Sequence, residues 1–238
     1  MNRLGALGAV AAAGALLVVA PLAPAASSGP ETAPVEIARL VISTPVRAKP
    51  TTNSGFVTRL SAIRPLTRQQ TALPIMRRAE SPDGVEWLLV RLPGRPVGRA
   101  GWIQSANAVV APSRWRLVVD RKAREAILYR DGKRHERFPV VVGAPWTPTP
   151  RGGFFVVEHV RQTPGSMLGP WALATSAFSH VLQEFDGGPG QIALHGRAGP
   201  LLDDPLGSAA SHGCIRFDNT AMRHLAGMLP NGTPIDIV

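Results

Sequence analysis

Downstream of residue 112, apolar and polar positions alternate in short blocks separated by Gly, Pro and Asp-Gly steps. That pattern belongs to strands and turns rather than helices. Residues 117–120 and 126–129 predict two strands across a charged turn. Asp131-Gly132 predicts a second turn, and residues 138–142 a third strand. GGFFVVEHV (152–160), QIALH (191–195) and the closing TPIDIV predict three more. The stretch 161–190 between them is rich in Gly and Pro and predicts a long loop of the kind that forms lids or binding walls. One segment carries helical spacing: Met222, Leu225, Met228 and Leu229 fall at i, i+3, i+6 and i+7. Asp218 or Asn219 can cap it, and Pro230-Asn231-Gly232 stops it. The pattern predicts a mainly β, sandwich-like domain over 114–238 with one C-terminal helix.

Residues 37–111 read as a second, smaller β unit. An Asp83-Gly84 turn between apolar runs is a hairpin signal, followed by a strand near 85–91, a Pro/Gly-rich loop and Gly101-Trp102-Ile103. Trp87 and Val90, followed later by Gly101, Trp102 and Ile103, resemble the W-x-x-V and G-W-I/V pattern of bacterial SH3-like domains. That resemblance implies a small β-barrel. Ala111-Pro112-Ser113 marks the boundary to the larger unit. Before residue 37, ASSGPETAPVE (26–36) reads as a flexible linker. The start of the chain has a basic Met1–Arg3, an apolar run from Leu4 to Ala20, and Ala23-Pro24-Ala25, a small-x-small cleavage pattern. The run is shorter than the roughly 20 apolar residues of a spanning helix. Residues 1–25 therefore read as a secretory signal peptide, with an uncleaved N-terminal anchor as the alternative; either places the remainder outside the cytoplasm, in the cell envelope.

Charge changes the picture modestly. Lys and Arg number 26 against 16 Asp and Glu, a net charge of +10. The excess is dispersed arginine without interleaved aromatics, which argues against nucleic acid and suits retention at anionic cell-wall polymers. Cysteine changes it more, because the chain has one, Cys214. Exported chains usually pair their thiols. An unpaired thiol outside the cytoplasm has four candidate roles: small core filler, metal ligand, half of an intermolecular disulfide, or nucleophile.

Its neighbours favour chemistry. Ser211-His212-Gly213-Cys214-Ile215-Arg216 brings a hydroxyl, an imidazole, a guanidinium and the thiol into six positions, poor company for a core residue. A free thiol near pKa 8.5 is only a few per cent thiolate at neutral pH and needs a base to act. His212 lies two residues away, on the same face if the strand is extended. His195, at the end of a predicted strand and before Gly196, can approach from a neighbouring strand. The backbone N–H of Gly213 or Cys214 could face a developing oxyanion, and Arg216 could grip a carboxylate. His195, His212 and Cys214 could alternatively ligate zinc. Asp203 and Asp204 read as solvated loop residues, and His135, His159, His180 and His224 as surface or structural.

His195-Gly196 followed by Ser211-His212-Gly213-Cys214-Ile215-Arg216, with TPTPRGGF (147–154) and GGPGQIALHG (187–196), resembles the L,D-transpeptidase catalytic domain of bacterial cell-wall assembly over residues 114–238. The resemblance implies Cys214 as nucleophile and His195 as general base and acid. It gives Ser211, His212 and Gly213 the thiol and oxyanion environment, and Arg216 and Gly196 substrate contacts. Loop 161–190 takes the place of a substrate lid. Many family members carry a tyrosine there; the one tyrosine here is Tyr129, so Trp171 or Phe178 would serve. The implied substrate is the peptidoglycan stem peptide, cross-linked 3→3 with loss of D-alanine by a monomer that needs no metal or cofactor. Water as acceptor would make the same thiol an L,D-carboxypeptidase. A non-catalytic wall-binding protein, acting through the SH3-like segment, is the alternative from a different class.

Overall fold

The computed structural model of the chain describes residues 34–184 and 187–238. The predicted signal peptide and residues 26–33 of the predicted linker lie outside them. The first seven strands are β1 (Glu36–Leu40), β2 (Thr44–Arg47), β3 (Phe56–Leu60), β4 (Ala72–Glu80), β5 (Glu86–Arg91), β6 (Ala100–Gln104) and β7 (Ala108–Pro112). They form one antiparallel sheet in the order β3-β2-β6-β5-β4-β1-β7. Its first strand starts at Glu36, one residue inside the stretch read as linker.

The rest of the chain builds the larger sheet from β8 (Trp115–Asp120), β9 (Glu125–Arg130), β10 (Lys133–Pro139), β12 (Gly152–Arg161), β13 (Trp171–Phe178), β14 (Gln191–His195), β16 (Ile215–Arg216) and β17 (Pro234–Ile237). Their order is β10-β9-β8-β17-β12-β13-β14-β16, with β11 (Val142–Gly143) and β15 (Ala209–Ser211) paired separately. The pairs β17/β8 and β14/β16 are parallel. The single α-helix among the described residues, α1 (Asn219–Met228), starts at Asp218, whose side chain accepts from the Thr220 N–H at 2.8 Å. Met222 and Leu225, with Leu229 just beyond the last turn, pack it onto the core, as the spacing predicts. The mainly β class with one helix stands.

Two local expectations are corrected. The strand expected at 138–142 is two elements. Val141 bridges to Arg216 while β10 runs from Lys133, on a polar, largely exposed edge that carries no apolar alternation. The loop expected over 161–190 is interrupted by β13, a strand inside the sheet between β12 and β14. Its small residues, Ala172, Thr175, Ser176 and Ala177, are buried with neighbours on both sides and give no period-two signal.

Strand β12 ties the sheets together. Phe154 and Val156 point into the core of the larger sheet, while Phe155 and Val157 point into the core of the first. Beside them Glu158, 3% exposed, accepts from the Thr67 N–H at 2.9 Å and the Thr67 hydroxyl at 2.8 Å. Residues 32–238 accordingly form one unit. Phe155→Ala leaves a cavity in the first core and is expected to cost about 3–5 kcal/mol. Urea denaturation of the whole chain, read as a lowered midpoint with an unchanged slope, checks this.

Candidate active site

The site is built on the parallel ladder between β14 and β16, where Leu194 faces Ile215 and His195 faces Arg216. One step back, the register sets Ala193 beside Cys214, and the Ala193 N–H donates to Cys214 Sγ at 3.4 Å. Side chains alternate along a strand. Leu194 and Ile215 therefore enter the core, while His195, Cys214 and Arg216 share the opposite face.

His195 is 3% exposed, and its Nδ1 lies 2.7 Å from the carbonyl oxygen of Gly196. A carbonyl only accepts, so Nδ1 carries the hydrogen and Nε2 keeps the free lone pair. Burial, aided by the nearby Arg216 charge, lowers the imidazole pKa to about 4. The ring is thus neutral at neutral pH and ready to accept a proton. Cys214 shows the opposite displacement: burial pushes its thiol up, against the downward pull of the Ala193 N–H and of Arg216. The resting pair is a neutral thiol and a neutral imidazole, not an ion pair.

Gly196 and Asn219 set the turn after His195. Asn219 accepts from the Arg197 N–H and donates to the Arg197 carbonyl, both at 2.8 Å. A Cβ on Gly196 would lie 2.2 Å from Asn219 Oδ1. Of the two candidate caps, Asp218 caps the helix and Asn219 brackets this turn.

Ser211 brackets Cys214. Its hydroxyl donates to the Cys214 carbonyl at 2.6 Å and accepts from the Gly213 N–H at 3.1 Å. Of the two amides considered for an oxyanion, Gly213's is therefore engaged. Gly213 has φ +116°, so the chain is not extended from His212 to Cys214. His212 is exposed, in contrast to the buried His195. Residues 143–149 cradle this loop. The Thr149 hydroxyl donates to the Gly213 carbonyl and accepts from the Gly143 N–H, both at 2.8 Å. The Ala144 N–H and the Thr147 hydroxyl both donate to the Ser211 carbonyl, at 2.8 and 3.0 Å. A Cβ on Gly143 would sit 2.4 Å from the Thr147 carbonyl oxygen.

Arg216 is buried, with its side chain 6% exposed, and pairs with Asp204. Asp204 is thus a counter-ion rather than a solvated loop residue, and its carbonyl also accepts from Arg197 Nη1 at 2.6 Å. Trp171 stands at the His195 end, beside a cavity of about 500 Å³ that Gln162, Ser166 and Asn219 also line under the 162–170 segment. The sequence reading missed the structural roles of Asn219, Asp204, Thr147 and Thr149. Of these only the two threonines carried a signal, inside TPTPRGGF. Among the described residues, no three His, Cys, Asp or Glu side chains group as a metal site requires.

A histidine held neutral by burial binds fewer protons than in the unfolded chain between its folded value of about 4 and its ordinary 6.5. Its contribution to stability is therefore lost as pH falls through that window and is constant below it. The stability of the native chain relative to His195→Gln is expected to drop by about 3 kcal/mol between pH 6.5 and 4. Denaturant unfolding at stepped pH measures it.

Known proteins resemble this chain in sequence over the larger unit. The YkuD family model, described as the L,D-transpeptidase catalytic domain, matches residues 114–237. "Putative L,D-transpeptidase YkuD" of Bacillus licheniformis is 28% identical over 61% of this chain and 83% of its own length. The protein of the same name from Bacillus subtilis is 28% identical over 52% of this chain and 65% of its own. Among solved structures, an L,D-transpeptidase from Mycobacterium tuberculosis H37Rv superposes with a TM-score of 0.47 at 14% identity, covering 71% of this chain and 90% of that one.

Proposed function

The chain belongs to the L,D-transpeptidase catalytic-domain family, whose members are acyltransferases acting on peptidoglycan stem peptides, and from that premise we propose that it forms 3→3 cross-links through Cys214. The observation that carries the reading is the ladder register that sets a buried, neutral His195 on one face with the chain's only thiol.

In the first half-reaction, Cys214 Sγ attacks the carbonyl carbon of the third stem residue while His195 Nε2 takes the thiol proton. A C–S bond forms, and the C–N bond to the terminal D-alanine breaks. D-Alanine leaves as an amine carrying the proton from His195. In the second, the side-chain amine of another stem attacks the thioester and gives its proton to His195. The C–S bond breaks, and the proton returns to the thiol. The Cys214 N–H, without a protein acceptor among the described residues, is the amide offered to the oxyanion. Arg216, held by Asp204, sets positive charge beneath the site for a substrate carboxylate, and its pull favours the thiolate as it forms. Gly196 fixes the His195 tautomer, and Trp171 lines the wall beside it. His212 and Gly213 shape the approach to the thiol. Export through residues 1–25 and a net charge of +10 suit work at an anionic cell wall.

Incubation with a disaccharide-tetrapeptide and mass spectrometry test the proposal. Expected are released D-alanine, a cross-linked dimer and a transient thioester on the intact protein, all absent in Cys214→Ala. Tripeptide without dimer would make the protein a carboxypeptidase. Activity retained in Cys214→Ala would overturn the thiol mechanism.

A further inference from the structure

Of the exposed apolar side chains Trp146, Met167, Val181 and Leu202, Trp146 stands in the 143–149 segment that cradles the Ser211–Cys214 loop. Trp146 is the largest and, at 74%, the most exposed of them. An indole buries about 150–250 Å² when covered, so one left in water at a catalytic edge needs a reason. Its frame is fixed. The Ala144 carbonyl accepts from the Thr147 N–H at 3.0 Å, closing a turn over Pro145 and Trp146, with proline presetting the first corner. Both ends of that turn grip the Ser211 carbonyl, three residues before Cys214. Thr147 itself is 6% exposed. A ring open to solvent is thus held from a buried anchor beside the nucleophile.

His195 and Arg216 are buried, so the reacting carbonyl goes to the floor of the site, and Trp146 meets a part of the substrate still outside it. In a peptidoglycan stem the third residue is linked through two residues and a lactyl group to a pyranose ring. Three extended residues span about 10 Å, enough to bring that ring to the rim. A pyranose presents a face of polarised C–H bonds, and an indole presents a negative π-face. The acceptor amine, by contrast, must reach the thioester on the floor. We propose that Trp146 is a sugar-stacking residue that recognises the glycan carrying the donor stem, a role that rests on the L,D-transpeptidase reading.

Two measurements test it. Titrating the protein with peptide-free N-acetylglucosaminyl–N-acetylmuramic acid is expected to shift the indole N–H signal that disappears in Trp146→Phe, and to do so saturably. No shift at millimolar sugar, or a shift with diaminopimelate but none with sugar, overturns the proposal. In turnover, Trp146→Ala is expected to lower the ratio of kcat/KM on disaccharide-tetrapeptide to that on free tetrapeptide about fivefold to tenfold. Trp146→Phe should keep most of that ratio, and an unchanged ratio in Trp146→Ala overturns the proposal. If the native protein turns over neither substrate, the transferase reading fails, while the titration still decides the sugar contact.

Discussion

The short parallel ladder between β14 and β16 is the constraint on which the site depends. A slip of one residue would turn His195 or Cys214 into the core and bring a leucine or isoleucine out. The register is held from both directions. Leu194 and Ile215 are fully buried on one face, and the Arg216 backbone is bonded in both directions to Val141 on the strand side away from β14. The cradle at 143–149 and the Asn219 bracket then fix where the chain leaves each strand.

Electrostatics follow from the same placement. Burial acts on both His195 and Cys214, but in opposite senses, because one is charged when protonated and the other when deprotonated. Both therefore rest neutral. The Arg216 charge favours the thiolate and opposes the imidazolium, so it eases the thiol's ionisation while keeping the imidazole unprotonated. Asp204 allows that charge to remain buried.

Much of this was legible in the residues themselves. The thiol, its flanking motif, the strand ending at His195 and the helical spacing of Met222, Leu225 and Leu229 are local patterns, and they survive folding unchanged. Adjacency sets His212 nearest the thiol in sequence, on the same face only if the strand is extended; the positive φ at Gly213 breaks that extension and His212 is exposed. What was not legible depends on partners distant in sequence. Asp204 reads as a solvated loop carboxylate until Arg216 is folded against it. The small residues of β13 show no alternation because both of their faces are covered. The polar strand β10 shows none because it lies at an edge. The joining of the two sheets was hidden for a related reason: FFVV in β12 reads as one apolar run, although its residues alternate between two cores.

The position of β17 in the larger sheet also governs how the molecule is assembled. The β8–β9–β10 meander on one side and the β12–β13–β14 antiparallel segment on the other are built from neighbours in sequence and can form locally. Within the sheet they are joined by β17, which slots between β8 and β12 and pairs Ile235 with Leu117 and with Phe154. Pairings of such long sequence separation are slow to find, because the intervening chain must first surrender its freedom. A four-residue strand remote from the thiol therefore acts as a kinetic latch. Substitutions at the buried Ile235 and Ile237 therefore act on the closure of the sheet as well as on its core.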